Sequence, residues 1–488
     1  MRRKRLATGT LVSLGFIGLL AASGCFSLEL SAVSAVGGPE GGASDGALDG
    51  QNETSTGTDG STSDGAAVAV ADLGDGHRGA LTVDAAGKII NTYGAVAAAA
   101  QAGAKTLVLA SGGGFASGDL VLIVQTAGLS PGPASGDATP IDLQAGVMGR
   151  WELARLTGIA GSQLILESPL ANDVAASGAQ VVTVPEHTDV AIPAGTSLSA
   201  PAWDGRVGGI LAFFAKGTVT NIGGIDVSAR GFRSGLFKPG GTGPCTTFDL
   251  APPAGGQKGE GLVTGSFGDA IGGYGNIANA GGGGNCSRGG GGGGGNGGPG
   301  GKGGAVDGTD HAGRGGVALK FNPLQRLSIG GGGGAGQGNA LAGSGGGHGG
   351  GAVFLHAGGF AGTGFVRANG ESAPQSAGDS GGDSAAGGGG AGGTIHLRVA
   401  AGLQCGGVEA NGGAGGSSNG PNNGTAGPGG GGGGGRVVMQ ASTFSCPGGA
   451  NAGAAGISKD GVSHQGAEPA APSDPAHVGS VDIVANGP

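Results

Sequence analysis

Large aromatic side chains are scarce in this sequence, with 2 Trp and 2 Tyr among 488 residues. A core built on bulky aromatics is excluded, although Val, Ile, Leu and Ala recur in short alternating runs that can supply an aliphatic one. Charge is scarce too, at 12% of residues against about 25% in ordinary globular chains. The net charge is −9, and beyond residues 2–5 no basic run or basic patch interleaved with aromatics occurs. That excludes nucleic acid as a partner, because phosphate neutralisation needs clustered Lys and Arg. A Gly-X-Y period is absent; the glycines cluster, as in GGGGGGG at 429–435, which excludes collagen. What abounds is glycine itself, 126 residues.

The N-terminus reads as an export signal. MRRKR is a basic segment, and LATGTLVSLGFIGLLAA is an apolar run of 17 residues ending in the small residues SGC. The run is short and glycine-broken for a membrane span, which needs about 20 apolar residues. AASGC resembles a bacterial lipobox, and the resemblance implies that Cys25 is acylated and begins the mature chain. Ala22 stands where that motif carries Leu, so ordinary cleavage beside Gly24 stays open. Phe26, rather than Asp, after the cysteine resembles lipoproteins sent to the outer membrane. Removing 1–24 removes Arg2, Arg3, Lys4 and Arg5 and no acid, which makes the mature chain still more acidic.

Residues 26–77 contain no Lys or Arg, and the eight acids from Glu40 to Asp75 are spread among Gly, Ser and Thr. Such a segment buries too little apolar surface to offset its ordering entropy, and with 25 it reads as a lipidated, self-repelling tether. From 78 to 187, KTLVLAS, DLVLIVQT, RWELARLTGI, SQLILESPL and AQVVTVPE are short β-type runs between turn residues. They predict a small antiparallel barrel or sandwich with Trp151 in its core.

From 188 to 456 the pattern is that of a glycine-rich β-solenoid, β-helix-like, with 457–488 as a tail. GGAVFLHA at 350, GGTIHLRV at 392 and GGRVVMQA at 434 recur every 42 residues. The columns Val353/Ile395/Val437 and Leu355/Leu397/Met439 stay apolar. The columns between, Phe354/His396/Val438 and His356/Arg398/Gln440, vary and accept charge, the alternation of half-buried strands. VRANG at 366 and VEANG at 408 add a second, shorter strand; GGVALKF at 315 and GGILAFF at 208 are less regular relatives. One unit cannot bury its apolar face alone, so units must stack. The glycine returns are either disordered or packed as extended polyproline-II-like strands, which bond laterally where no Cβ keeps them apart.

Stacked units lie about 4.8 Å apart. Cys405 and Cys446 are 41 residues apart, one off that register, which predicts a disulfide. The same gap predicts Cys245–Cys286, and with Cys25 acylated no thiol is left over. No Cys-x-x-Cys or paired histidine spacing points to a metal, and no cofactor is expected.

GDSGG at 378–382 matches the serine-protease nucleophile string. Yet it falls in a glycine-rich return whose next copy, 420–424, reads GPNNG, and the histidine signature of that family is absent upstream, PAHVG at 475–479 lying downstream in the wrong order. Ser380 reads as loop and the match as coincidence. Asp307, Asp310, Asp379 and Asp383 read as solvated loop acids, His348 as loop, and His356 and His396 as plain surface residues.

The stretch from GFASGDLVLIVQT through GRWELARLTGIAGSQLILESPL to APAWDGRVGGILAFFAKGTVTNIGGIDVSARGFRSG resembles large glycine-rich exported proteins of myxobacteria, some described as adventurous gliding motility proteins. The resemblance covers roughly 90–235, implies an envelope or surface location, and brings no catalytic residue. The polyglycine tracts are similar in composition to phage tail-tip adhesins with packed glycine strands. The sequence thus predicts a non-enzymatic, lipid-anchored outer-membrane surface protein of structural, adhesive or motility role, with membrane, polysaccharide or other envelope proteins as partners. The alternative is an exported polysaccharide-binding or polysaccharide-cleaving β-helix protein.

Overall fold

The computed structural model describes residues 73–240, 245–285, 288–305, 311–338, 343–377, 384–418, 426–458, 467–468 and 479–485. The signal segment, Cys25, Cys286, Asp307, Asp310 and the whole GDSGG string with Asp379, Ser380 and Asp383 lie outside them. Among the described residues there is no α-helix, and the fold is all-β.

Six antiparallel strands follow one another in the order Tyr93–Ala95, Ala179–Thr183, Leu120–Gln125, Trp151–Ala160, Gln163–Leu166 and Thr106–Val108. A bridge between Val96 and Leu109 joins the two outer strands, and the Ala97 N–H donates to the Val108 carbonyl at 2.8 Å. The sheet therefore closes as a barrel, which leaves no free edge. Val121 and Ile123 point into it with Leu107, Leu164 and Val181. Leu122 and Val124 point out, yet are also buried, against the rest of the molecule. That explains why LVLIV carries no polar alternate.

The solenoid has two parallel sheets. The longer runs through Leu81–Thr82, Val190–Ile192, Ile210–Asn221, Ala352–Ala361, Thr394–Val399, Arg436–Ala441 and Ser480–Ala485. The shorter runs through Lys88–Ile89, Ser197–Ser199, Gly224–Asp226, Phe365–Arg367, Gly407–Glu409 and Gly448–Gly449. Ala352 pairs with Thr394 and Thr394 with Arg436, the predicted repeat. The segment at 208 joins the stack, with Ile210 beside Ala352. The one at 315 does not: Leu319–Lys320 pairs instead with Ile141–Asp142 from the barrel region. Ser480–Ala485, inside the segment read as a tail, adds a further rung on Arg436–Ala441.

Between the sheets lie Val353, Ile395 and Val437, then Leu355, Leu397 and Met439, facing Ile225, Val366 and Val408. Each such side chain contributes roughly 1.5–3 kcal/mol, and only stacking buries it. Cys405 and Cys446 form a disulfide across adjacent rungs. Cys245 is also disulfide-bonded, while its predicted partner Cys286 lies outside the described residues. An asparagine ladder runs up one corner: the Asn411 N–H donates to Asn369 Oδ1 at 2.7 Å, and the Asn451 N–H to Asn411 Oδ1 at 2.8 Å.

The glycine returns are ordered layers. Along 290–295 the backbone N–H groups donate in rotation to three neighbours. Gly290 and Gly293 bond to Gly304 and Gly301, Gly291 and Gly294 to Ala386 and Gly389, and Gly292 and Gly295 to Gly282 and Asn279. A three-residue rotation is that of a polyproline-II helix, which has no internal hydrogen bonds to spend its donors on. Glycine is required for the spacing: a Cβ on Gly293 would meet the Gly431 carbonyl oxygen far inside contact distance.

Candidate functional site

The outer face of the long sheet presents three columns: Ala352/Thr394/Arg436/Ser480, Phe354/His396/Val438/Asp482 and His356/Arg398/Gln440/Val484. The barrel packs on the earlier rungs, where Leu122, Val124 and Val182 meet Phe214 and Phe354. This corrects the expectation for two residues. His356 and His396 are 2% and 1% exposed, not surface groups; the outward columns vary because a second domain covers them. The rings stack, Phe214 on His356 at 4.4 Å and His356 near His396 at 5.4 Å, with Trp151 edge-on to Phe354 at 4.8 Å. His396 Nδ1–H donates to the Pro323 carbonyl at 3.1 Å. Burial pushes its pKa down to about 3, with Arg398 adding to the shift and the bond to Pro323 opposing it.

That bond fixes the segment 321–324 against the sheet, and beyond it the barrel's cover ends. A groove of roughly 530 Å³ opens there, walled by Phe321, Asn322, Pro323 and Leu324 and floored by Arg436, Val438, Asp482 and Val484. Arg436 is held by donating to the Leu319 carbonyl at 2.7 Å and to Ser480 Oγ at 2.9 Å, and its guanidinium lies 5.1 Å from the Phe321 ring centre. Burial lowers its pKa, and the Asp482 carboxylate opposes that shift. An apolar floor with one guanidinium, one carboxylate and one amide suits a ligand with apolar faces and many hydroxyls. Sequence reading missed the groove because Phe321–Leu324 and Asp482 sit outside the regular repeats; the alternation in SVDIVA was the available signal.

Two other polar clusters are ion pairs. Asp75, His77 and Glu186 bring three ligand atoms within 4.8 Å, but Arg155 Nη2 already donates to Glu186 Oε1 at 2.8 Å. His77 Nδ1 lies 2.6 Å from Asp75 Oδ1. The cluster ties Asp75 and His77, from the stretch read as tether, to barrel and solenoid. Lys258, its side chain wholly buried, donates to Ser135 Oγ at 2.7 Å and to Asp249; burial lowers its pKa and Asp249 opposes. His348, read as loop, accepts the Ser234 N–H at 3.1 Å on Nδ1.

No family model matches the chain, and no curated protein matches it. Solved structures that it is similar to include the Pseudomonas phage phi297 tailspike gp61, at 13% identity over 35% of this chain and 31% of that one, with a TM-score of 0.17. The tailspike protein gp49 from Pseudomonas phage LKA1 is 13% identical over 31% and 30%, with a TM-score of 0.16. The Gp54 tailspike of Acinetobacter baumannii bacteriophage AP22, in complex with A. baumannii capsular saccharide, is 9% identical over 76% and 57%, with a TM-score of 0.17. The chain thus spans less than two thirds of the length of each. One expectation is corrected by this comparison. The sequence predicts a protein without enzymatic activity; the solved chains it is similar to are tailspikes, one of them in complex with capsular saccharide, and that expectation does not stand.

Proposed function

We propose that the chain is a polysaccharide-binding β-solenoid of the cell envelope, carried on a lipid anchor at Cys25 and the acidic tether that follows. The observation that carries this reading is the groove between 321–324 and the last two rungs. Its roughly 530 Å³ falls in the range of about 300–1,000 Å³ typical of ligand sites. Val484 and Leu324, both partly exposed, offer apolar surface to the C–H faces of sugar rings. Asp482 accepts hydroxyl protons, and Asn322 can donate and accept. The solenoid makes this a rigid platform, because Arg436–Ala441 is paired in parallel with Thr394–Val399 on one side and Ser480–Ala485 on the other. Outer-membrane placement by the anchor would put the groove within reach of surface polymers.

The test is co-sedimentation of the purified chain with insoluble and capsular polysaccharides, with reducing ends measured in the same samples. Saturable binding supports the reading, and new reducing ends would add polymer cleavage to it. Failure to bind any polymer removes it.

A further inference from the structure

A second, separate cavity lies on the glycine layers. It measures roughly 260 Å³ and is bordered by Asn276, Pro299, Gly300, Lys302, Arg314, Gly315 and Glu468. Two cations meet here in a chain whose charged residues are only 12% of the total. Arg314 is anchored from below: its Nη1 donates to the Gly136 carbonyl at 2.6 Å and its guanidinium lies 4.7 Å from the Phe248 ring centre. Burial disfavours the Lys302 ammonium, the Glu468 carboxylate opposes that, and Arg314 adds to it. A second carboxylate between Lys302 and Arg314 would add to what Glu468 supplies.

The backbone adds to this. In the rotation of the glycine strands, Gly313 and Gly316 donate to Gly290 and Gly293, while Arg314 and Val317 donate to Tyr274 and Ala278. Gly315 belongs to the third direction. Its N–H has no partner among the described residues, it is only half-buried, and it borders the cavity. The corresponding N–H on the neighbouring strand, that of Lys302, lies 3.5 Å from Glu468 Oε2. Glu468 in turn is held by its own N–H donating to the Lys302 carbonyl at 2.9 Å. The cavity therefore presents two cations, a free backbone donor and one carboxylate.

We propose that this cavity binds an acidic sugar, a uronate residue. Lys302, Arg314 and the Gly315 N–H take its carboxylate, since charge-assisted bonds to a carboxylate are the strong ones. Glu468 accepts from its hydroxyls, which a bare inorganic anion does not offer. The proposal assigns a site distinct from the groove and does not rest on the groove being occupied.

The test is saturation-transfer NMR and calorimetry on the full chain with glucuronate, glucose and sulfate as probes. Glucuronate is expected to bind saturably, with glucose and sulfate at least about tenfold weaker. Lys302→Gln should weaken glucuronate about tenfold, the loss of one charge-assisted contact. Glu468→Gln should weaken it less, because a lost hydroxyl contact is offset by lost repulsion. Both variants are checked for an unchanged melting curve. Binding absent in the wild type, equal for glucose, equal for sulfate, or unchanged in Lys302→Gln overturns the proposal. An Asp482→Lys variant in the groove separates the two sites: it should leave glucuronate binding intact whether or not polymer binding at the groove fails.

Discussion

Cys405 and Cys446 lie on adjacent rungs with their Cα atoms 4.7 Å apart and are joined by a disulfide. Their separation of 41 residues is one short of the strand repeat, because two residues, Ala400 and Ala401, turn the one rung where the single residue Ser442 turns the next, so that Gln404 already pairs with Ser445. Cross-linking a loop of this length stabilises by about 4 kcal/mol in the chain-entropy model. Cys405→Ser combined with Cys446→Ser is therefore expected to lower the melting temperature clearly. Differential scanning fluorimetry with and without reductant checks it; the double variant should lose its sensitivity to reductant at this bridge.

Glycine is needed at some positions and replaceable at others. A Cβ on Gly432 would collide with the Gly390 carbonyl, whereas one on Gly224 would sit 3.7 Å from Ser197 Cβ, an ordinary contact. Gly432→Ala is expected to cost about 3 kcal/mol, the upper part of the usual overpacking range. Gly224→Ala should stay within about 0.5 kcal/mol of wild type. Urea denaturation of the two variants side by side makes the comparison.

His396 makes the fold acid-sensitive. Its pKa is about 3 in the folded chain against 6.5 as the ordinary value. Below 6.5 the unfolded chain takes up a proton that the folded chain refuses. The stability from keeping this ring neutral is whole above that pH and falls as pH drops toward 3, by at most about 1.4 kcal/mol per pH unit. The ring's surroundings, Arg398, His356, Trp151, Phe354 and the Pro323 carbonyl, offer no carboxylate to offset this. His396→Phe should flatten the decline measured by denaturation between about pH 7 and about pH 4; an unchanged slope would refute the assignment.

The anchor is tested at Cys25. Wild-type protein should fractionate with the outer membrane and be shaved from intact cells by added protease, and Cys25→Ala should be released from the membrane. Wild-type protein protected from the protease would place the chain inside the envelope and remove the surface reading.

Much of the solenoid was legible because its physics is local. Val353/Ile395/Val437 repeat at a fixed period, and only parallel stacking buries such a column, so the register and the Cys405–Cys446 bridge follow. The barrel was legible to the level of barrel or sandwich; the Val96–Leu109 bridge that decides between them joins residues with no distinctive chemistry. What a repeat cannot reveal is which of its faces another domain will cover. His356 and His396 look like surface residues in a column, yet His396 is covered by Trp151 of the barrel and by Pro323, and His356 stacks on Phe214. The groove escaped for the same reason: Phe321–Leu324 leave the repeat, and Pro323 meets the sheet through His396.

The most direct measurement is polysaccharide binding by the wild type against Asp482→Lys and Val484→Arg, two exposed or half-exposed floor residues whose replacement should not disturb folding. With matched melting curves, the groove reading predicts saturable polymer binding by the wild type and a loss of about tenfold or more in both variants. Binding that is equal in all three proteins would contradict it.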